Sequence, residues 1–454
     1  MFKRDVTTTL VSNIIGAVFS LGNAVILARV LGPAGWGLLG LALLIPAVTV
    51  TFCVLGQDMV NITFAGLYKD RRSSLFQQSL VITIFGTLVS TLVICAFYFW
   101  LPVAKGQFGK LSTNLILLIC LLVPAELLNR LMVSLVRGVG QVVTAAVINV
   151  VQGAVFLCLL VVFLAWRGGG LGVSLILIVL NYLVGVVISL YVLRGYVALR
   201  PSSFSVSLFK KSLVFGSQVS LTTLATFLVY RIDQGILGFM VSAEQVGLYV
   251  VAVSLAERLR LLPNSISTAF LPRLANELSN RQPQVPLIFR YTTIISIGSM
   301  LLAAVGGAPA IFVLFGRDYQ GSIPSFLLLL PGLAALGGAS ILSGDLAARE
   351  KPKYSMWSAY AMLAVNVALN FLLIPIMGIA GASLASTVSY ISDCCILLLF
   401  YRRESKTSLR EMIPRFKDIV YLLTSVVSLT HRTTADGNWQ LQSTKDSKSS
   451  SYEL

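Results

Sequence analysis

About twelve apolar runs of roughly 20 residues alternate with short polar connections along the chain. A helix rises about 1.5 Å per residue, so each run is long enough to cross a hydrocarbon layer of about 30 Å. The pattern places spans near 8–30, 38–62, 79–101, 112–135, 142–165, 171–193, 213–239, 246–268, 291–315, 324–346, 355–376 and 381–401. The connections leave no room for a soluble domain on the side that carries the 102–111 loop. On the other side, 269–290 reads as a solvated connection, with a short interfacial helix as the alternative. Pro46, Pro124, Pro331 and Pro375 fall within spans and predict kinks.

The runs repeat. Ile26-Leu27 followed by GLLGLA at 37–42 matches Ile236-Leu237 followed by GLYVVA at 247–252, and Gly172, Ser174 and Leu175 match Gly381, Ser383 and Leu384. Both pairs lie about 210 residues apart, and an even number of spans separates them, so the repeat is parallel. The expected architecture is all-α and integral to the membrane. It has a six-helix lobe at 1–200, a linker at 201–211 and a second six-helix lobe at 212–404, arranged around a central cavity. Residues 405–454 form a tail. Its 418–430 stretch is apolar but too short to span, and 431–454 reads as disordered; a lost thirteenth span and a frame change are the alternatives.

Charge orients this pattern. Of the 34 lysines and arginines, 28 fall at the N-terminus, in the even-numbered loops or at the span ends that border them (Arg130, Arg258 and Arg260), and after the last span. The opposite side holds only Lys105, Lys110, Arg167 and Arg317, while Arg29 and Arg231 lie inside spans. Cationic loops stay in the cytoplasm, so both termini are expected there. The net charge of +16 has the same origin, and no basic stretch is interleaved with aromatics as in a nucleic-acid groove. The first apolar run is full length and lacks a small-residue cleavage site, so no signal peptide is expected. All six cysteines fall in spans without metal-ligand spacing, so neither disulfide nor metal is expected.

Ionisable groups inside hydrocarbon are expensive and mark candidate sites. Arg231 and Asp233 sit in the outer half of span 7, about 200° apart around the helix, and at least one is expected to face a hydrated cavity. Asp58, with Gln57 and Asn61, forms a matching cluster in span 2. Arg29, Glu257, Arg258, Asp345 and Asp393 lie towards span ends, where reaching to the interface accounts for them. Glu126 and Arg130, one helical turn apart, read as a structural ion pair.

Enzyme motifs are missing. GQFGK at 106–110 lacks the spacing of a phosphate-binding loop, and neither GxSxG nor HExxH occurs. The lone histidine, His431, is in the tail.

Two segments resemble a known family. ARVLGPAGWGLLGLA at 28–42, through Arg29, Leu31, Gly32, Pro33 and Gly37, resembles the signature of the polysaccharide-biosynthesis flippases. Tyr230-Arg231-Ile232-Asp233, Ile236-Leu237-Gly238, Gly247-Leu248-Tyr249, Ala252, Leu262-Pro263 and Pro272 resemble its span 7–8 element, and GIAGASLAST at 378–387 its span-12 entry. The resemblance covers roughly 1–404 and points to the multidrug/oligosaccharidyl-lipid/polysaccharide exporter superfamily. Glu350, where relatives carry Gly, and the tail after 417 depart from it.

The resemblance implies a flippase that moves an undecaprenyl-pyrophosphate-linked oligosaccharide from the cytoplasmic to the outer leaflet of a bacterial inner membrane, by alternating access and without a cofactor. Implied partners are that substrate, membrane lipids and a polymerase or other polysaccharide-assembly protein. A cavity cation would meet the pyrophosphate. Arg29, Arg231, Asp233 and Asp58 are the candidate substrate-binding residues, with Asp58 and Asp233 as carriers of a coupling ion. The competing readings are a cation-coupled multidrug exporter, a membrane enzyme of polysaccharide assembly and a non-transporting scaffold.

Overall fold

The structure, a computed structural model, describes residues 2–99, 106–167, 170–198, 204–260, 284–349, 351–415 and 417–419. Its first helix, α1 (Phe2–Cys53), supplies two spans. They meet at Gly32, whose φ of 64° and ψ of 174° leave the helical region. Only glycine adopts that conformation without strain. Pro33 then restarts the helix, where its missing N–H costs nothing.

A second break follows. Span 2, expected as one helix over 38–62, stops at Cys53, and Leu55 and Gly56 take positive φ before α2 (Gln57–Leu67) continues. Close approach explains the break. A Cβ on Gly56 would lie 2.8 Å from the Gly216 Cα. Asn61 then pins α2 in place, with its Nδ2 within 3.1 Å of Ser79 Oγ, Leu131 O and Ser134 Oγ. In hydrocarbon, small residues and polar side chains of this kind hold helices together, because apolar contact alone gains little over lipid.

The remaining spans are α3 (Arg72–Phe99), α4 (Thr113–Gly138), α5 (Val142–Arg167), α6 (Leu171–Leu193), α7 (Val206–Met240), α8 (Ala243–Ala256), α9 (Gln284–Phe315), α10 (Ser322–Ala348), α11 (Lys353–Met377) and α12 (Ile379–Ser405). With the two spans of α1 they make twelve. α7 takes in Val206–Lys211 of the expected linker. The span expected at 246–268 is shorter as a helix: α8 ends at Ala256, a 3-10 turn covers Glu257–Arg260, and the rest lies outside the described residues. So do 261–283 of the next connection and the tail from 420 onward, including the stretch read as disordered. Before that point, a short helix, α13 (Leu409–Met412), precedes Asp418, which pairs with Arg290 on α9 at 3.3 Å.

The repeat extends over the whole bundle. Arg72 and Gln284, Thr113 and Ser322, Val142 and Lys353, and Leu171 and Ile379 begin corresponding helices about 210 residues apart. α4 packs on α2, α3 and α6 at the centre of the first lobe; α10 packs on α8, α9 and α12 at the centre of the second. The most apolar stretch of α10 is 72% buried and that of α9 only 11%, which separates a central helix from a lipid-facing one. Outward faces carry Ile84, Leu302, Val305 and Ile376, all more than 70% exposed. Such a surface suits a bilayer and would aggregate in water. The protein is therefore a multi-pass membrane protein of two six-helix lobes around a central cavity.

Candidate functional site

Two ends of the bundle can be distinguished. The terminal end carries the N-terminus and the turns near 68–71, 139–141 and 351–352. The distal end carries those near 32, 106–112, 241–242, 316–321 and 378. Between the lobes lies a cavity of about 250 Å3. The first lobe contributes Leu27, Trp36, Gly40 and Leu43 from α1 and Ile178 from α6; the second contributes residues of α7 and α8. Gly40 permits the close approach, since a Cβ there would meet Gln234 Nε2 at 2.7 Å.

Arg231 and Asp233 both reach this cavity, and they turn to different partners, as their angular separation requires. Arg231 faces α8, with its two terminal nitrogens each 3.3 Å from a carboxylate oxygen of Glu257. The pair is open to the cavity: the side chains are 35% and 26% exposed. Glu257 thus does not reach for the interface, as its position near a span end suggested. Asp233 is buried. It accepts hydrogen bonds from Tyr249 Oη, from Ser386 Oγ on α12 at 3.1 Å and from the Gln234 N–H at 2.6 Å. Behind Ser386 the polar contacts continue to Asn366 and Asn370 on α11. The cavity wall therefore backs onto a hydrogen-bonded layer that runs through α7, α8, α11 and α12.

Asp58 and Arg29 are elsewhere. Asp58 lines a separate cavity of about 290 Å3 inside the first lobe, with Glu126, Arg130 and Arg137. Arg130 bonds Asp58 through Nε at 3.0 Å and Nη2 at 2.7 Å. The ion pair expected between Glu126 and Arg130 is therefore formed by Asp58 instead, because the break at Gly56 turns the start of α2 toward α4. Arg29 ties the lobes at the distal end, donating to the carbonyls of Leu314 at 2.6 Å and Val313 at 2.5 Å. Tyr319 donates to the Ala28 carbonyl beside it at 2.6 Å.

Near the terminal end, Asp345 is paired with Arg349 at 2.6 Å, and Asp393 accepts from Ser358. Sequence reasoning missed Glu257 as the partner of Arg231. Opposite charges inside two consecutive spans were the available signal.

Comparison with known proteins gives two family matches. The sequence model described as polysaccharide biosynthesis protein matches residues 2–277, and the one described as lipid II flippase MurJ matches residues 218–445. A Shigella flexneri protein assigned as an O-antigen transporter is 21% identical over 400 residues, covering 85% of this chain and 94% of the relative. A Haloferax volcanii protein assigned as a low-salt glycan biosynthesis flippase is 23% identical over 304 residues, covering 62% of this chain and 60% of the relative. Among solved structures, an inward-facing MATE family multidrug resistance transporter of the MOP superfamily superposes with a TM-score of 0.71 at 14% identity, over 86% of this chain and 94% of that one. The lipid II flippase MurJ, in an inward closed conformation, superposes with a TM-score of 0.70 at 16% identity, over 95% and 93%. At these identities the superpositions establish the fold and nothing finer.

Proposed function

The chain belongs to the polysaccharide biosynthesis protein family, and on that premise we propose that it is a flippase for an undecaprenyl-pyrophosphate-linked oligosaccharide. It carries this substrate from the cytoplasmic to the outer leaflet of a bacterial inner membrane. The terminal end of the bundle then faces the cytoplasm, in keeping with its cationic loops. The chain transports and does no covalent chemistry. A polymerase or another assembly protein receives the product.

One observation carries this reading: among the described residues, Arg231 is the single cation on the inter-lobe cavity, and it remains accessible there. A pyrophosphate must not meet bare hydrocarbon, and a guanidinium offers it two parallel donors. Before substrate arrives, Glu257 holds those donors in position. The lipid tail stays in the bilayer between the lobes, and rocking of one lobe against the other exposes the cavity to alternate sides. With no ATP motif in the chain, we assign the drive to an ion gradient or to removal of the product outside. Asp233 and Asp58 are the proposed carriers, since a cation or proton bound at either would neutralise a carboxylate held among polar groups. Arg29 serves as a distal tie between the lobes in this scheme.

Arg231→Lys and Arg231→Ala test the assignment in a flippase-deficient host, with surface polysaccharide and membrane abundance measured together. Lysine is expected to keep part of the activity, and alanine to lose most of it at unchanged abundance. Loss of abundance with activity, restored by adding Glu257→Gln, would reduce Arg231 to a structural ion pair.

A second reading has its own observation. Asp233, Glu257, Trp36, Tyr230 and Tyr249 give the cavity acidic and aromatic character, which suits an organic cation and hence a cation-coupled multidrug exporter. Resistance to cationic drugs conferred by the wild-type chain, with no restoration of surface polysaccharide, would select it.

A further inference from the structure

A larger cavity, of about 440 Å3, opens in the first lobe beside the central one and shares Leu27 and Trp36 with it. Its lining differs in kind. Five carboxamides face it: Asn23 of α1, Asn129 of α4, Asn149 and Gln152 of α5, and Asn181 of α6. Among the described residues, no carboxylate, lysine or arginine lines it. Charged groups stand at its two ends, with Arg231, Asp233 and Glu257 in the central cavity and Asp58, Glu126, Arg130 and Arg137 in the smaller cavity that shares Asn129, Asn149 and Tyr182.

Carboxamides inside a membrane either hold helices together or face a hydrated path. Helix contacts account for part of this set. Gln152 Nε2 donates to the Asn181 carbonyl at 3.0 Å and lies 3.3 Å from Asn129 Oδ1, while Asn23 Nδ2 donates to the Gly153 carbonyl at 3.2 Å. The remainder is unexplained by packing. Asn23 is only 7% exposed, yet its Oδ1 has no partner among the described residues, and neither has Asn181 Oδ1 or Trp36 Nε1. Two such acceptors and one such donor thus belong to residues that line one cavity, each atom tucked behind the lining surface. Buried polar groups are normally paired, because leaving them unpaired is costly.

We propose that this carboxamide-lined cavity is the saccharide subsite, taking neutral sugar hydroxyls while Arg231 takes the pyrophosphate. The inference rests on the flippase reading above. A sugar hydroxyl both donates and accepts, and a carboxamide presents an N–H and a C=O side by side, so it matches two neighbouring hydroxyls. Trp36 and Tyr182 add flat apolar faces for the C–H surface of a sugar ring, with a polar tip on each. The absence of charge fits a neutral glycan and keeps the pyrophosphate at Arg231. Because the two cavities share Trp36, a pyrophosphate at Arg231 leaves its first sugar beside the indole.

The test uses purified full-length protein in lipid nanodiscs and two probes: undecaprenyl pyrophosphate alone, and the same lipid carrying a neutral N-acetylhexosamine–hexose disaccharide. Asn149→Leu is the variant of choice, since Asn149 is exposed on the lining and makes no hydrogen bond among the described residues. Asn181→Leu, which removes one unpaired acceptor, is the second. Wild type is expected to bind the glycosylated probe roughly tenfold more tightly than the bare lipid, about the value of one or two hydrogen bonds. Each variant is expected to lose most of that preference while binding the bare lipid as wild type does. A wild-type protein without the preference, or variants that keep it, would overturn the subsite and leave the flippase reading intact. Failure of wild type to bind either probe would overturn both.

Discussion

Gly37 and Gly247, equivalent positions of the internal repeat, touch each other across the lobe interface. A Cβ on Gly37 would lie 2.7 Å from the Gly247 N, and one on Gly247 would lie 3.0 Å from the Gly37 N, with the Ala243 and Pro33 carbonyls nearer still. Backbone meets backbone here because neither residue has a side chain. This is where α1, after its break, crosses α8, and α1 and α8 share one of the larger contacts in the molecule.

The crossing is expected to act as the distal gate. Gly247→Leu cannot close it, so transport should fall by at least about tenfold, the cost of a small steric barrier. In that background a cysteine at Ser254→Cys, on the cavity wall, should become reactive to an impermeant thiol reagent from outside. Full transport with a protected cysteine would show that the crossing does not gate.

Glu257 is expected to compete with substrate. Glu257→Gln leaves hydrogen-bonding shape but removes the negative charge facing Arg231. Binding of bare undecaprenyl pyrophosphate should tighten by about tenfold, and transport should slow as release becomes limiting. Unchanged affinity in a binding titration would separate Glu257 from the site.

Topology follows from the cation distribution. In a background with all six cysteines replaced, Asp70→Cys and Ser408→Cys should be protected in sealed cells, and Lys110→Cys and Asp318→Cys should label. Labelling at Asp70→Cys would reverse the orientation.

The Asp58–Arg130 pair should couple modestly. Both side chains are about 30% exposed, so a double-mutant cycle of Asp58→Asn and Arg130→Gln, read as thermal stability in detergent, should give about 1 kcal/mol. A coupling near zero would mean that the pair is incidental to the fold.

The sequence made the spans, the sidedness and the repeat legible, because length and charge are local properties that hydrocarbon enforces strictly. Arg231 and Asp233 were legible for the same reason. The break at Leu55–Gly56 was not, since a glycine between apolar residues looks like helix until Gly216 is known to lie against it. Nor were the pairings. Asp58 and Arg130 are 72 residues apart, and Glu126 offered a nearer partner that the turned start of α2 displaces. The carboxamides of α1, α4, α5 and α6 are scattered singly through apolar runs, and only the packing of the first lobe gathers them.

α7 belongs to both lobes at once. Its first turns are fastened to the first lobe: Ser212 Oγ donates to Gln78 Oε1 at 2.9 Å, Phe215 packs on Phe64, and Gly216 lies on Leu55. Its last turns belong to the second, through Asp233, Leu237 and the contact with α11. Between them runs SQVSLTTLAT at 217–226, where Ser217 and Thr223 bond back to carbonyls one turn earlier, a habit that loosens a helix. If the lobes rock as proposed, this helix, fastened to both, is expected to flex with them. Held at both ends in this way, it is expected to bend as a leaf spring does.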